Sequence, residues 1–237
     1  MNTVIINCQN ISKTYSEIKA LRGISISVKE GEAVAIVGAN GAGKSTFFNI
    51  LLGLLKADEG YCSILGVNPE KITCETREMI GFIADHASPI PWASSHDLAK
   101  LYSRIYSNWD QEKYKYLIKT WKIDENRRLQ QLSKGQKRLA EISLVTSINP
   151  KILLLDEPFD GLDAVMRIKI QKLLRDLQIT RNTTILYATH ILSELSATAD
   201  RMIIMRSGTI VYDQKICSNA GSPEEIFKAL YHEEISQ

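Results

Sequence analysis

The run Ala33-Val34-Ala35-Ile36-Val37-Gly38-Ala39-Asn40-Gly41-Ala42-Gly43-Lys44-Ser45-Thr46 decides how the rest of this chain is read. Five successive apolar residues, Ala33 to Val37, predict a strand buried on both faces. The glycine-rich stretch Gly38 to Thr46 fits the pattern G-x-x-x-x-G-K-[ST], and an apolar helix is expected from about Lys44 to Leu54. Glycines let successive backbone N–H groups turn inward as a nest for phosphate oxygens. A helix N-terminus directly after the loop adds positive potential. Lys44 is expected to reach the β- and γ-phosphates, and the Ser45 hydroxyl to ligate Mg²⁺. The candidate nucleotide-binding residues here are Gly38, Asn40, Gly41, Ala42, Gly43, Lys44, Ser45 and Thr46.

Outward from this loop, β-like and helical segments alternate. Ile24 to Val28 has the period-2 pattern of a half-buried strand, and a turn at Lys29 to Glu32 separates it from Ala33. A further strand is expected at Tyr61 to Leu65. From about Asp97 to Asn149 the spacing is helical, as in Leu98, Leu101, Tyr102 and Ile105, then Tyr114, Leu117, Ile118 and Trp121. Strands return at Ile152–Leu155, Thr183–Ala188 and Met202–Met205, with helices at Asp163–Leu177 and Ile191–Ala197 between them. Such alternation implies an α/β fold whose mostly parallel sheet has helices on both faces.

Composition narrows the function classes. The 237 residues carry 29 Lys plus Arg against 27 Asp plus Glu, a net charge of +2, which argues against nucleic-acid binding by bulk electrostatics. The longest apolar stretch, Phe47 to Leu55, is interrupted by Asn49 and Gly53 and falls far short of the roughly 20 residues of a membrane span. The N-terminus has neither the basic region nor the apolar core of a secretory signal, so a cytoplasmic location is expected. Cys8, Cys62, Cys74 and Cys217 are too widely spaced for a zinc knuckle or a CxxC pair, and reduced, mostly buried thiols are expected. His86, His96, His190 and His232 are equally scattered.

The strand Ile152 to Leu155 runs into Asp156-Glu157-Pro158. Ligands in open α/β sheets bind beyond the carboxyl ends of the strands, which is where these acids fall. Asp156 is a candidate Mg²⁺ ligand, and Glu157 a candidate base or orienter of an attacking water. Between the loop and the acids lies Leu132-Ser133-Lys134-Gly135-Gln136, where Ser133 and Gln136 form an S-x-x-Q capping box at a helix start.

This segment resembles the LSGGQ signature of ABC-type ATPases, with Lys134 in place of the first glycine. Asp160-Gly161-Leu162-Asp163 resembles the D-loop of that family, normally SGLD, so Asp160 is a second departure. His190 matches the switch histidine that contacts the γ-phosphate, although alone it reads as a strand-end histidine. Tyr15, 23 positions before Gly38, matches the aromatic residue that stacks on adenine; a strand tyrosine packed on the sheet is the competing reading. Asp85, after Ile80-Gly81-Phe82-Ile83, stands where the family usually has a glutamine, and the resemblance gives it a metal-linked role. Tyr106-Ser107-Asn108-Trp109-Asp110 together with Asp85 looks like bacterial ATPases of the ABC-2 exporter kind; structurally, Trp109 also suits a core anchor and Asp110 an N-cap.

The resemblance implies one ABC-type ATPase domain over 1–237. It would comprise a P-loop core (about 1–84 and 150–215) with an N-terminal antiparallel β subdomain, an inserted helical subdomain (about 85–149) and a C-terminal helix (about 222–232). It further implies ATP and Mg²⁺ as ligands, with catalytic roles for Lys44, Glu157 and His190. Tyr15, Ser133, Gly135 and Gln136 would contact nucleotide, and Ser45, Asp156 and Asp85 the metal. The implied partners are a second copy or paralogue in a head-to-tail dimer and a separate transmembrane permease at the inner face of the membrane, with no nucleic acid. The expected function is ATP hydrolysis that powers a transporter, more specifically an exporter. A soluble ATPase of translation or DNA repair, or a regulatory or immunity module, would share the same motifs.

Overall fold

The computed structural model describes residues 3–85, 90–216 and 222–230. Its backbone divides into two compact units, Met1–Ile72 with Leu186–Gln237, and Thr73–Ile185.

The first unit begins with two long strands, β1 (Val4–Tyr15) and β2 (Ile18–Lys29), followed by β3 (Ala33–Val37), α1 (Lys44–Leu51) and β4 (Glu59–Ile64). Strands β2, β1 and β4 form an antiparallel sheet in that order. Its inward residues alternate as expected for one wet face, with Ile24, Ile26 and Val28 buried and Ser25, Ser27 and Lys29 exposed. Helix α1 stops at Leu51, three residues short of expectation. Gly53 adopts φ 68 there, and the Leu54 and Leu55 amides fold back onto the Asn49 carbonyl, leaving Leu54 exposed.

The second unit contains α2 (Cys74–Glu78), β5 (Ile80–Ile83), α3 (Ser95–Ile105), α4 (Gln111–Thr120), α5 (Lys134–Thr146), β6 (Ile152–Asp156) and α6 (Ala164–Arg181). Strand β7 (Thr184–Thr189) then runs across the division. Strands β5 and β6 pair in parallel, Ile80 opposite Ile152 and Ile83 opposite Leu155. All five β6 residues are buried, Ile152 to Leu155 as their unbroken apolar run predicts and Asp156 at the strand's end. Each such leucine gives about 1.5–3 kcal/mol relative to exposure. The helical region lies in the same unit as β5, β6 and α6. At Gly81 a Cβ would stand 2.7 Å from Val145 Cγ1, so the bare backbone lets α5 close onto β5.

The chain returns to the first unit through a 3₁₀ turn at Leu192–Glu194, α7 (Leu195–Thr198), β8 (Arg201–Arg206), β9 (Thr209–Lys215) and α8 (Pro223–Leu230). Strand β3 pairs in parallel with β8, and β9 returns antiparallel through a tight hairpin at Ser207–Gly208. The helix expected over Ile191–Ala197 is only four residues long. Ile191 offers no side-chain cap, and its amide bonds the Thr189 hydroxyl instead. Of the expected C-terminal helix, positions 231 and 232 lie outside the described residues.

Two cysteines far apart in sequence are brought together. Cys8 and Cys62 are direct partners across β1 and β4, with Sγ atoms 2.8 Å apart and both residues buried. The hydrogen bond with Cys62, followed by burial, pushes the Cys8 thiol above its ordinary range. Of the described cysteines Cys8 and Cys62 are buried, as expected for most of them, and Cys74 is exposed; Cys217 lies outside the described residues. Asp110 takes the N-cap role open to it, whereas Trp109 is half-buried and sits outside the core. Asp110 caps α4 by accepting from the Lys113 amide at 2.9 Å, and Trp109 lies between the Tyr102 and Tyr114 rings.

Candidate functional site

The loop Gly38–Gly43 joins β3 to α1, and its glycines serve two ends. At Gly38 a Cβ would lie 2.5 Å from the Met205 carbonyl, and at Gly43 one would lie 2.6 Å from the Ala20 carbonyl, so backbone packs directly on backbone. Gly41 and Gly43 have φ of 82 and 103, a region that L side chains rarely adopt. The hairpin tip pins the loop from outside, where the Gly208 amide donates to the Ala42 carbonyl at 3.1 Å. Gly43 is the N-cap of α1 and makes no side-chain cap, and no acidic residue stands in the first turn. Lys44 is buried at 6% exposure and donates to the Gly38 carbonyl at 2.7 Å and the Ala39 carbonyl at 3.3 Å. Ser45 follows in the first turn, exposed at the surface. The result is a positively polarised, uncapped helix start behind a loop of turned amides, a general anion-binding design.

Helix α5 begins differently. Ser133 Oγ accepts from the Gln136 amide at 3.2 Å, and Gln136 Oε1 accepts from the Ser133 amide at 3.3 Å, the reciprocal box that the sequence predicts. Gly135 allows close approach, since a Cβ there would lie 2.6 Å from Met166 Sδ on α6.

Asp156 closes β6 and Glu157 follows, both nearly fully buried. Glu157 has φ 50, an uncommon conformation for a non-glycine residue, and its carbonyl accepts from the Asp160 amide at 3.2 Å. Asp163 ends the turn as the N-cap of α6, accepting from the Met166 amide at 2.8 Å. Lys134 Nζ donates to Asp160 Oδ2 at 2.6 Å, so the two departures from the signature and D-loop patterns touch each other.

Tyr15 ends β1 half-exposed at 45%, with Lys13 Nζ 6.0 Å from its ring centre; it does not pack into the sheet core. His190 lies exposed directly after β7. Tyr15, the phosphate loop and His190 belong to the first unit; Asp85, Ser133, Gly135, Gln136, Asp156 and Glu157 belong to the second. Among the described residues, no group of three or more His, Cys, Asp or Glu is placed to hold a metal.

Arg138 is a residue that sequence reasoning passed over. It is 4% exposed and donates to the Ala84 carbonyl at 2.9 Å and the Asp85 carbonyl at 2.8 Å, while pairing with Glu141 at 3.6 Å. One guanidinium therefore ties the segment after β5 to α5, five residues from Ser133. Arg138→Ala should lower unfolding stability by about 3 kcal/mol, in the range for stripping one partner from a buried charged network. Denaturant unfolding checks this; a change under about 0.5 kcal/mol would mean that Arg138 does not hold the segment.

Residues 21–160 match the family model described as ABC transporter. That match spans more than half of the chain and includes the phosphate loop, the signature-like helix start and both acids. The chain belongs to the ABC transporter family. It is 33% identical over 232 residues to a sulfate/thiosulfate import ATP-binding protein of Bacillus cereus, covering 94% of this chain and 63% of that protein. It is 31% identical over 218 residues to an aliphatic sulfonates import ATP-binding protein of Zymomonas mobilis, covering 91% of this chain and 88% of that one. Among solved structures, a dimeric ATP-binding cassette in a post-hydrolysis state with ADP and Pi matches with a TM-score of 0.80 and 26% identity, over 90% of this chain and 99% of that one. The cassette thus spans under two-thirds of the length of the Bacillus relative. No helix among the described residues is long and apolar enough to cross a membrane.

Proposed function

We propose that the cassette binds and hydrolyses ATP between two copies, or between itself and a paralogue, and that this cycle drives a separate membrane-spanning partner. The observation that carries the reading is the phosphate loop: turned amides, an uncapped α1 and a buried Lys44 in one short segment. In this reading Lys44 grips the β- and γ-phosphates, Tyr15 stacks on adenine and His190 faces the γ-phosphate. Glu157 orients and deprotonates the attacking water. Ser45 and Asp156 supply hydroxyl and carboxylate oxygens, the hard donors that suit Mg²⁺. That ion, when bound, offsets phosphate charge.

The start of α5 contributes to the nucleotide held by the other copy. Ser133 uses its oxygen as a cap acceptor and retains its O–H for a phosphate oxygen, and Gly135 lets the backbone come close. ATP then favours the associated state through γ-phosphate contacts that ADP lacks, and hydrolysis releases it. Support comes from the family membership and from the dimeric relative with ADP and Pi.

Export is the direction proposed, on Asp85 in the usual glutamine position and on the Trp109–Asp110 pair. The relatives compared above are named as import proteins, and Trp109 and Asp110 also have structural roles, so direction needs its own test. In vesicles holding the cassette and its membrane partner, ATP on the cassette side should move substrate away from that side; movement toward it would establish import. Failure of the cassette to bind any membrane-spanning partner, with ATPase activity intact, would favour the soluble roles in translation or DNA repair, and partner binding without substrate movement would favour the regulatory or immunity role. A metal-linked role for Asp85 predicts that Asp85→Ala shifts the Mg²⁺ dependence of turnover several-fold; unchanged Mg²⁺ dependence and rate would remove Asp85 from the metal set.

A further inference from the structure

Lys134 is poorly placed for the helix it begins. It occupies the first turn of α5, where the helix dipole disfavours a cation. Its own contacts supply the compensation. The ammonium donates to Asp160 Oδ2 at 2.6 Å, and the aliphatic stem lies flat over Gly161, where any Cβ would collide with Lys134 Cδ and Cε. Asp160 in turn donates its amide to the Glu157 carbonyl. A continuous chain of contacts therefore runs from the start of α5 through Lys134 and Asp160 to the strained backbone of Glu157. Gly135 packing against Met166 and Leu162 adds a second link between α5 and the same turn. Lys134 and Asp160 are each departures from the patterns quoted above, and they are partners 26 residues apart.

We propose that Lys134 and Asp160 are a matched pair of positioning residues that fixes the turn carrying Glu157 to the start of α5, so that the two segments move as one during turnover. This pairing rests on the reading of Glu157 as the hydrolytic base. Both side chains are partly solvated, at 56% and 32% exposure, so the coupling is modest and sensitive to salt.

The test is charge exchange in the full chain: K134D, D160K and K134D/D160K. Each single variant places like charges together and should lower kcat for ATP about fivefold or more, while the Kd for MgADP stays within about twofold of the parent. Amide exchange over residues 157–163, read by mass spectrometry, should become several-fold faster in each single variant. The exchanged pair should bring both kcat and amide protection back to within about twofold. Losses that multiply in the double variant, kcat that stays low despite recovered protection, or single variants that match the parent in both readouts would overturn the pairing. If the parent itself shows no turnover, the ATPase reading fails, and amide exchange alone decides the pair.

Discussion

Glu157→Gln should lower kcat for ATP by about 100-fold or more while leaving the affinity for ATP close to that of the parent. General-base assistance contributes typically 10²–10⁴-fold, and the amide keeps the size of the carboxylate but cannot accept the proton. The residue is 6% exposed at the end of a fully buried strand, so an isosteric change leaves the packing intact. Its left-handed backbone is held through the Asp160 amide, a contact that the substitution does not touch. Single-turnover kinetics separates this outcome from a binding defect. A kcat within about threefold of the parent would move the base elsewhere.

The second large effect is expected at Lys44. Lys44→Ala should weaken ATP binding roughly 100-fold, since charge-assisted hydrogen bonds contribute about 1.5–3 kcal/mol each and each 1.4 kcal/mol is tenfold. Its ammonium now donates to the Gly38 and Ala39 carbonyls, which face water once it is gone, so part of the loss is disorder of the loop itself. Lys44→Arg separates the two terms. It keeps the charge but brings a planar fork that does not fit a site shaped for a point charge. Titration calorimetry with MgADP and ATP reads the effect. Equal affinities for parent and Lys44→Ala would remove the loop from nucleotide binding.

The parts legible in sequence were those whose signals are local. Ala33–Val37 and the strand at 152 announce themselves as unbroken apolar runs, and the Ser133–Gln136 box is a four-residue motif that forms as written. The phosphate loop needs only adjacent residues for its turn chemistry. What escaped depends on register or on distant partners. Cys8 and Cys62 meet because β1 and β4 align them, a fact that no spacing rule contains. Arg138 carries no sequence signal, because the carbonyls it bonds, those of Ala84 and Asp85, lie 54 and 53 residues away. The Lys134–Asp160 pair reads as two unrelated departures until one side chain lies over Gly161. The four-residue α7 follows a 3₁₀ turn at Leu192–Glu194 where one continuous helix was expected, a break that the apolar spacing does not announce.

The central claim is that one cassette is half of a catalytic unit. Glu157→Gln incubated with ATP and examined by sedimentation equilibrium tests it most directly. The expected result is twice the mass of one chain with ATP, the mass of one chain with ADP, and loss of the ATP-dependent association in Glu157→Gln/Ser133→Arg. A single-chain mass under saturating ATP would contradict it.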